Sequence, residues 1–204
     1  SVGSLAFGWL AYDQICKYDV GLKPHPRFPQ QQKIKVSKPL LADLFTAVKA
    51  YMKQSKRPYP YFNIETKTLP ETDNIFHPEP AEFVDRLMRV IIENDMEKLV
   101  TIQSFDFRTL QYLHKNYPAI KTVMLIEDTD KRSLDEQLTV LGFIPAAYSP
   151  AYELVNAALI KKCHDQHIKV IPWTVNNVAE IKKLTALGVD GIISDYPDLF
   201  NTLK

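Results

Sequence analysis

From Tyr61 onward, short apolar runs and amphipathic stretches take turns along the chain. That alternation restricts the fold more than any other feature. Tyr61–Glu65, Leu99–Gln103, Thr122–Ile126, Ile144–Tyr148, Val170–Val175 and Gly191–Ile193 read as strands. Phe83, Leu87 and Ile91, with Val84, Met88 and Ile92 on the next row, mark a helix after the first strand. Phe107, Leu110 and Leu113 mark a second, which stops before Pro118. Leu134, Leu138 and Leu141 mark a third, closed by Gly142; Leu154 to Cys163 forms a fourth; Val178, Ile181 and Leu184 mark a fifth, closed by Gly188. Successive later strands begin little more than twenty residues apart. Such alternation predicts parallel strands joined by helical crossovers, and apolar strands without polar alternation predict a sheet buried on both faces.

Two architectures satisfy this pattern, a doubly wound open sheet and an eight-stranded barrel. The tight, monotonous repeat favours the barrel. A barrel usually takes about 250 residues, and this chain has 204. It is therefore expected to be an α/β protein with a TIM-type (β/α)8 barrel short of its first strands. No linker or shift in composition divides it, so residues 1–204 are expected to form one domain with 1–38 as an irregular lead-in. Within that lead-in, Pro24-His25-Pro26-Arg27-Phe28-Pro29 excludes helix interior. Tyr12 to Tyr18 suits one or two helical turns. Leu40, Leu41, Leu44, Phe45, Val48, Tyr51 and Met52 then mark a helix, with Ser37 as its cap and Pro39 in its first turn.

Composition excludes several classes. With 46% hydrophobic residues and a net charge of +1, the chain is neither disordered nor a nucleic-acid binder driven by bulk charge. No run of about 18 apolar residues suggests a membrane span. Two cysteines, Cys16 and Cys163, are too few for a disulfide framework and are expected to be reduced and partly buried. Ser1-Val2-Gly3-Ser4 has no initiator methionine and no targeting pattern. It reads as a cut edge from which no compartment can be inferred.

In a parallel barrel the chemistry sits at the C-terminal ends of the strands. Glu65 and Lys67 are two residues apart at such an end, so an extended chain points them the same way. A carboxylate beside an ammonium suits a divalent cation and a phosphate oxygen. It equally suits an exposed ion pair worth under 1 kcal/mol. Gln103 and Ser104 end the next strand, and Ser104 or Asp106 can cap the helix after it. Ser104 has no histidine at a triad spacing. Trp173 is either core or pocket wall. Asn176 and Asn177 are helix caps, and Asp195 is a second mouth carboxylate or a turn residue before Pro197. His25 and His77 lie in proline-flanked loops, and His114, His164 and His167 lie on or beside helices. Cys163, His164 and His167 form an incomplete metal set. Glycine, at 6 residues, is too scarce for obvious phosphate loops.

Four segments, taken in order, resemble the glycerophosphodiester phosphodiesterase family. They are Phe62-Asn63-Ile64-Glu65-Thr66-Lys67, Gln103-Ser104-Phe105, Pro172-Trp173-Thr174-Val175-Asn176, and Gly188 through Pro197. Asp19-Val20-Gly21 followed by Phe28 matches the family's lead-in. The resemblance implies a barrel enzyme of lipid and glycerol metabolism. Such an enzyme hydrolyses glycerophosphodiesters to sn-glycerol 3-phosphate and an alcohol, with Mg2+ or Ca2+ held by three carboxylates and two histidines as general acid and base. It implies Glu65 as one metal ligand and Lys67 as the catalytic-site residue that steadies the phosphate. Lys67, Gln103 and Trp173 would then bind the substrate.

The family's His-Arg-Gly, Glu-x-Asp and His-Asp strands precede the segments matched here, and none of them is found ahead of Phe62. The chain is therefore expected to be a fragment, a truncated product or half of an assembly, and inactive alone. It would be completed by a missing N-terminal portion or by a second copy in a homo-oligomer. The alternative is a non-catalytic phosphate-ester or partner-binding remnant of the same fold.

Overall fold

The structure is a computed structural model that describes residues 10–203. The Ser1–Ser4 segment lies outside the described residues. The chain divides into two compact units. One holds the residues up to Pro60 together with Leu69–Met96; the other holds Tyr61–Thr68 and the residues from Glu97 onward.

In the first unit, α1 (Tyr12–Ile15) is a single turn. The proline-rich segment after it is a loop closed at its base by Asp19. The Asp19 carboxylate accepts the amides of Leu22 at 2.9 Å and Val36 at 3.0 Å, and Val20 donates to the Val36 carbonyl. Helix α2 (Leu41–Ser55) starts later than expected. Its N-cap is Leu40 and no side chain caps it. Ser37 is a turn too early to reach the first amides, and Pro39 stays in the extended lead-in. Helix α3 (Pro80–Glu93) opens on proline, whose missing N–H would have had no helical acceptor anyway. Phe45 of α2 and Val84, Met88 and Ile91 of α3 are buried, and α2 touches α3. The Lys49 ammonium donates to the Asn94 carbonyl beyond the end of α3.

The second unit contains β1 (Phe62–Glu65), β2 (Val100–Ser104), β3 (Lys121–Ile126), β4 (Ala147–Pro150) and β5 (Lys169–Val170). Helices α4 (Phe107–Asn116), α5 (Leu134–Leu141), α6 (Ala157–His164) and α7 (Val178–Leu187) alternate with them. All five strands are parallel and pair in the order β1-β2-β3-β4-β5. A doubly wound sheet reverses its strand order at a switch point; this one does not reverse. Consecutive winding is that of a TIM-type barrel, although the described strands do not close a ring.

Three expected strands differ from those observed by more than one residue at an end. Ile144–Tyr148 gives way to Ala147–Pro150, because Pro145 has no N–H and the ladder begins only where Ala146 donates to the Thr122 carbonyl. Val170–Val175 shrinks to Lys169–Val170 at the approach to Pro172. Gly191–Ile193 is not a regular strand, yet it lies beside the β5 segment as a sixth extended stretch. Asp190 donates to the Val170 carbonyl, Ile193 to that of Pro172, and Val175 to that of Ile193, each at 2.9 Å.

Local capping follows side-chain chemistry. Ser133 and Glu136 form a capping box on α5, and Asn177 caps α7 by accepting from the Glu180 amide at 2.8 Å. Asn156 caps α6, which therefore starts at Ala157 and not at Leu154. Gly142 and Gly188 end α5 and α7 in left-handed conformations, at φ of 82° and 93°. Val175, Ile181 and Leu184 form a buried cluster covered by Tyr152, Val155, Val189, Ile192, Leu199 and Phe200. No helix among the described residues is long and apolar enough to cross a membrane.

Candidate phosphate-ester site

The end of β1 is fixed from its helix-facing side. The Thr66 amide donates to the Gln103 carbonyl, carrying the β1–β2 ladder one residue past Glu65. The Thr66 and Thr109 hydroxyls lie 2.9 Å apart, and the Thr68 hydroxyl donates to Asp106 at 2.8 Å. Ser104 donates its hydroxyl to the Thr66 carbonyl and accepts the Asp106 amide, so it is a buried structural link. Asp106, not Ser104, is the N-cap of α4 and accepts the Arg108 amide at 3.1 Å. The Arg108 guanidinium grips the same carboxylate through Nε at 3.0 Å and Nη2 at 2.7 Å. Burial on its own would raise the Asp106 carboxyl. The bonds from Arg108 and Thr68 outweigh it and hold the group below the usual carboxylate value.

Because strand side chains alternate, anchoring Thr66 and Thr68 on α4 turns Glu65 and Lys67 to the opposite face. There the Lys67 ammonium meets Glu65 Oε1 at 2.7 Å. The lysine side chain is 78% exposed and the glutamate 22%, so the ammonium is available to an incoming anion. Gln103 pairs with Glu65 in register. Its Oε1 accepts from Asn63 Nδ2 at 2.6 Å, while Asn63 Oδ1 accepts from Thr101 at 3.0 Å, which fixes the direction of the Gln103 amide.

Phe105, two residues beyond Gln103, points to this same face and meets Trp173 edge to face. The ring centroids are 5.3 Å apart and the planes 86°. Trp173 Nε1 donates to the Ser149 carbonyl at 2.9 Å, and Trp173 bridges to Ala151. The Trp173–Thr174 peptide bond is cis. The strands that bear Phe105 and Trp173 are three steps apart, about 14 Å in a flat sheet. Contact between their rings fits a sheet curled as in a barrel, with the Glu65–Lys67 face on the concave side.

The other candidates take structural places. Asn176 is not a cap. Its Oδ1 accepts from the Asp195 amide and the Ser194 hydroxyl, and its Nδ2 donates to the Asp195 carboxylate at 2.8 Å, so Asp195 sits in a clamped turn. His77 is buried. Its Nε2 lies 3.0 Å from the Leu69 amide that donates to it, and its Nδ1 lies 2.8 Å from the Pro78 carbonyl. Nδ1 therefore carries the ring proton. His164 pairs with Asp190 at 2.8 Å. Cys163 is buried, which pushes its thiol up to about 11, whereas Cys16 is exposed and not partly buried. Among the described residues no group of three or more His, Cys, Asp or Glu is placed to hold a metal ion. Sequence reasoning treated Asp106 only as a cap and Phe105 only as part of a matching segment.

Consecutive parallel winding, with carboxylate, ammonium and aromatic rings gathered at the C-terminal strand ends of the concave face, defines an α/β protein of the TIM-barrel class. Residues 10–199 match the model of the glycerophosphoryl diester phosphodiesterase family, and the chain belongs to that family. A glycerophosphodiester phosphodiesterase of Bacillus subtilis (strain 168) is 32% identical over 106 residues, which cover 52% of this chain and 36% of that relative. One from Caldanaerobacter subterraneus is 29% identical over 121 residues, covering 59% of this chain and 49% of the relative. The crystal structure of a putative glycerophosphoryl diester phosphodiesterase from Silicibacter pomeroyi DSS-3 superposes with a TM-score of 0.79 at 28% identity. It covers 93% of this chain and 66% of that one. A phosphodiesterase from Oleispira antarctica, solved with the product sn-glycerol-3-phosphate, shares the fold at 19% identity and a TM-score of 0.61, with 86% of this chain and 63% of that one covered. The match thus spans between a third and a half of these curated relatives.

Proposed function

We propose that the protein to which this chain belongs hydrolyses glycerophosphodiesters to sn-glycerol 3-phosphate and an alcohol, with a divalent cation such as Mg2+ or Ca2+, in lipid and glycerol metabolism. The chain contributes the phosphate- and glycerol-binding side of the site. The observation that carries this reading is the Glu65–Lys67 pair on the concave face, beside Gln103, in a chain of this family.

Lys67 is the group that steadies the phosphate. Its ammonium is held by a carboxylate next to it, yet most of its surface remains free for a second anion. Gln103 offers an amide already aligned by Asn63, and Trp173 offers an apolar wall to the glycerol carbons. Glu65 supplies one hard oxygen ligand. A cation of this kind takes six or more oxygen ligands, usually from several carboxylates, and the described residues hold no group of three that would complete the set. The residues present therefore do not make a metal site alone. The missing donors come from further polypeptide or from a second copy of the chain.

The 204-residue chain is accordingly expected to bind sn-glycerol 3-phosphate weakly and to hydrolyse nothing. Lys67→Met should abolish binding in a calorimetric or NMR titration. Binding unchanged in both Lys67→Met and Glu65→Gln would overturn the assignment of the site. Turnover of glycerophosphocholine with Mg2+ or Ca2+, stopped by chelator, would overturn the inactivity of the chain alone. The lone carboxylate also favours a second reading, a non-catalytic phosphate-ester or partner-binding remnant. That reading gains if Glu65→Ala leaves glycerol phosphate binding intact.

A further inference from the structure

We infer that Phe105 is a positioning residue that fixes the Trp173 indole as the wall for the glycerol carbons, so that the site tells a glycerol phosphate from a bare phosphate. The inference rests on the proposed function and concerns a residue to which that reading gives no role.

Trp173 is held at two points. Its only polar atom, Nε1, is spent on the Ser149 carbonyl, which fixes one edge of the indole. That bond alone leaves the ring free to swing about the edge. The Phe105 ring, perpendicular at 5.3 Å, removes the swing. Both residues are only half-buried, so part of the aromatic surface remains accessible. With Nε1 engaged, that surface has no hydrogen-bonding group left. It suits C–H groups and offers nothing to a phosphate.

The order of groups across the face supports the same assignment. Glu65 pairs with Gln103, and the Thr66-to-Gln103 backbone bond continues that register, which puts Lys67 level with Phe105. The ammonium thus stands level with the phenyl ring, and the phenyl ring in turn meets the indole. A ligand with an anionic end and a short aliphatic end, joined directly, matches that order. An inorganic phosphate can use only the ammonium end.

The test uses the full 204-residue chain with Trp9→Phe, which leaves Trp173 as the reporting indole of the two tryptophans. Phe105→Leu, which keeps the site apolar, and Phe105→Tyr, which keeps the ring, are titrated with sn-glycerol 3-phosphate and with inorganic phosphate. Indole fluorescence anisotropy is followed throughout. Phe105→Leu should weaken glycerol phosphate binding about two- to tenfold, the range an aromatic pair supports. It should lower the anisotropy of Trp173 and leave phosphate binding unchanged, and Phe105→Tyr should restore both readouts. Equal affinity and anisotropy in Phe105→Leu and parent would overturn the inference while leaving the site assignment standing. Equal loss of both ligands in Phe105→Leu would overturn it too, because general loosening does that. Failure of the parent itself to bind either ligand removes the site reading and the inference with it.

Discussion

Asp106 serves four partners at once: its oxygens take the Arg108 amide and guanidinium and the Thr68 hydroxyl, and its carbonyl accepts the Thr109 hydroxyl. Its carboxyl is held below its ordinary value, so the folded state binds the proton less readily than the unfolded state. The linkage then has a definite sign. The stabilisation is fully present above the usual carboxylate range and is lost as the pH falls through that range and below it. Asp106→Asn should flatten the acid limb of stability measured by urea unfolding from pH 6 down to pH 3. Asp106→Ala should cost about 2 kcal/mol at neutral pH, from the lost cap and the lost charged hydrogen bonds. An acid limb identical in Asp106→Asn and parent would show that other carboxylates govern it. Since Thr66 and Thr68 set the direction of Glu65 and Lys67, Asp106→Ala should also weaken phosphate binding without touching the ligand.

At the scale of the element, the helix ends carry the clearest local signals. Gly142 and Gly188 were legible as caps, because capping depends on a few neighbouring dihedrals; the Ser133–Glu136 box is as local a signal but was not read. Two glycines contrast usefully. A Cβ on Gly188 would meet nothing within 4 Å, so Gly188→Ala pays only for a left-handed φ of 93°, about 1 kcal/mol. A Cβ on Gly21 would lie 2.0 Å from the Ile34 carbonyl oxygen, a backbone atom that gives way only if the loop shifts. Thermal unfolding should therefore show a larger loss for Gly21→Ala than for Gly188→Ala; the reverse order would contradict the close approach at Gly21. Two of the strands that sequence misplaced share one cause. Pro145 and Pro172 lie inside apolar patterns, and hydrophobic periodicity does not register the missing N–H. One strand therefore began later and the other ended sooner than its apolar residues suggested.

At the scale of the whole molecule, the sheet of the second unit is stabilised at its C-terminal end by the cluster of Val175, Ile181 and Leu184. Leu184 is 1% exposed, and Leu184→Ala should cost about 2–5 kcal/mol by opening a cavity. The denaturation midpoint should fall with an unchanged slope. A cost under 1 kcal/mol would mean that the cluster closes over the gap.

By itself the sequence determined the number, kind and order of most elements, the parallel sense of the strands, and the residues at the strand ends. These follow from side-chain periodicity and from caps, which act over a few residues. Only the tertiary structure decided between an open, doubly wound sheet and consecutive barrel winding. It alone curled the sheet until Phe105 met Trp173, gave Asn176 to Asp195 and not to a helix end, and tied Thr66 to Thr109. Those pairings join residues far apart in the chain, and a polar atom or ring finds its partner only after packing has brought the two backbones side by side.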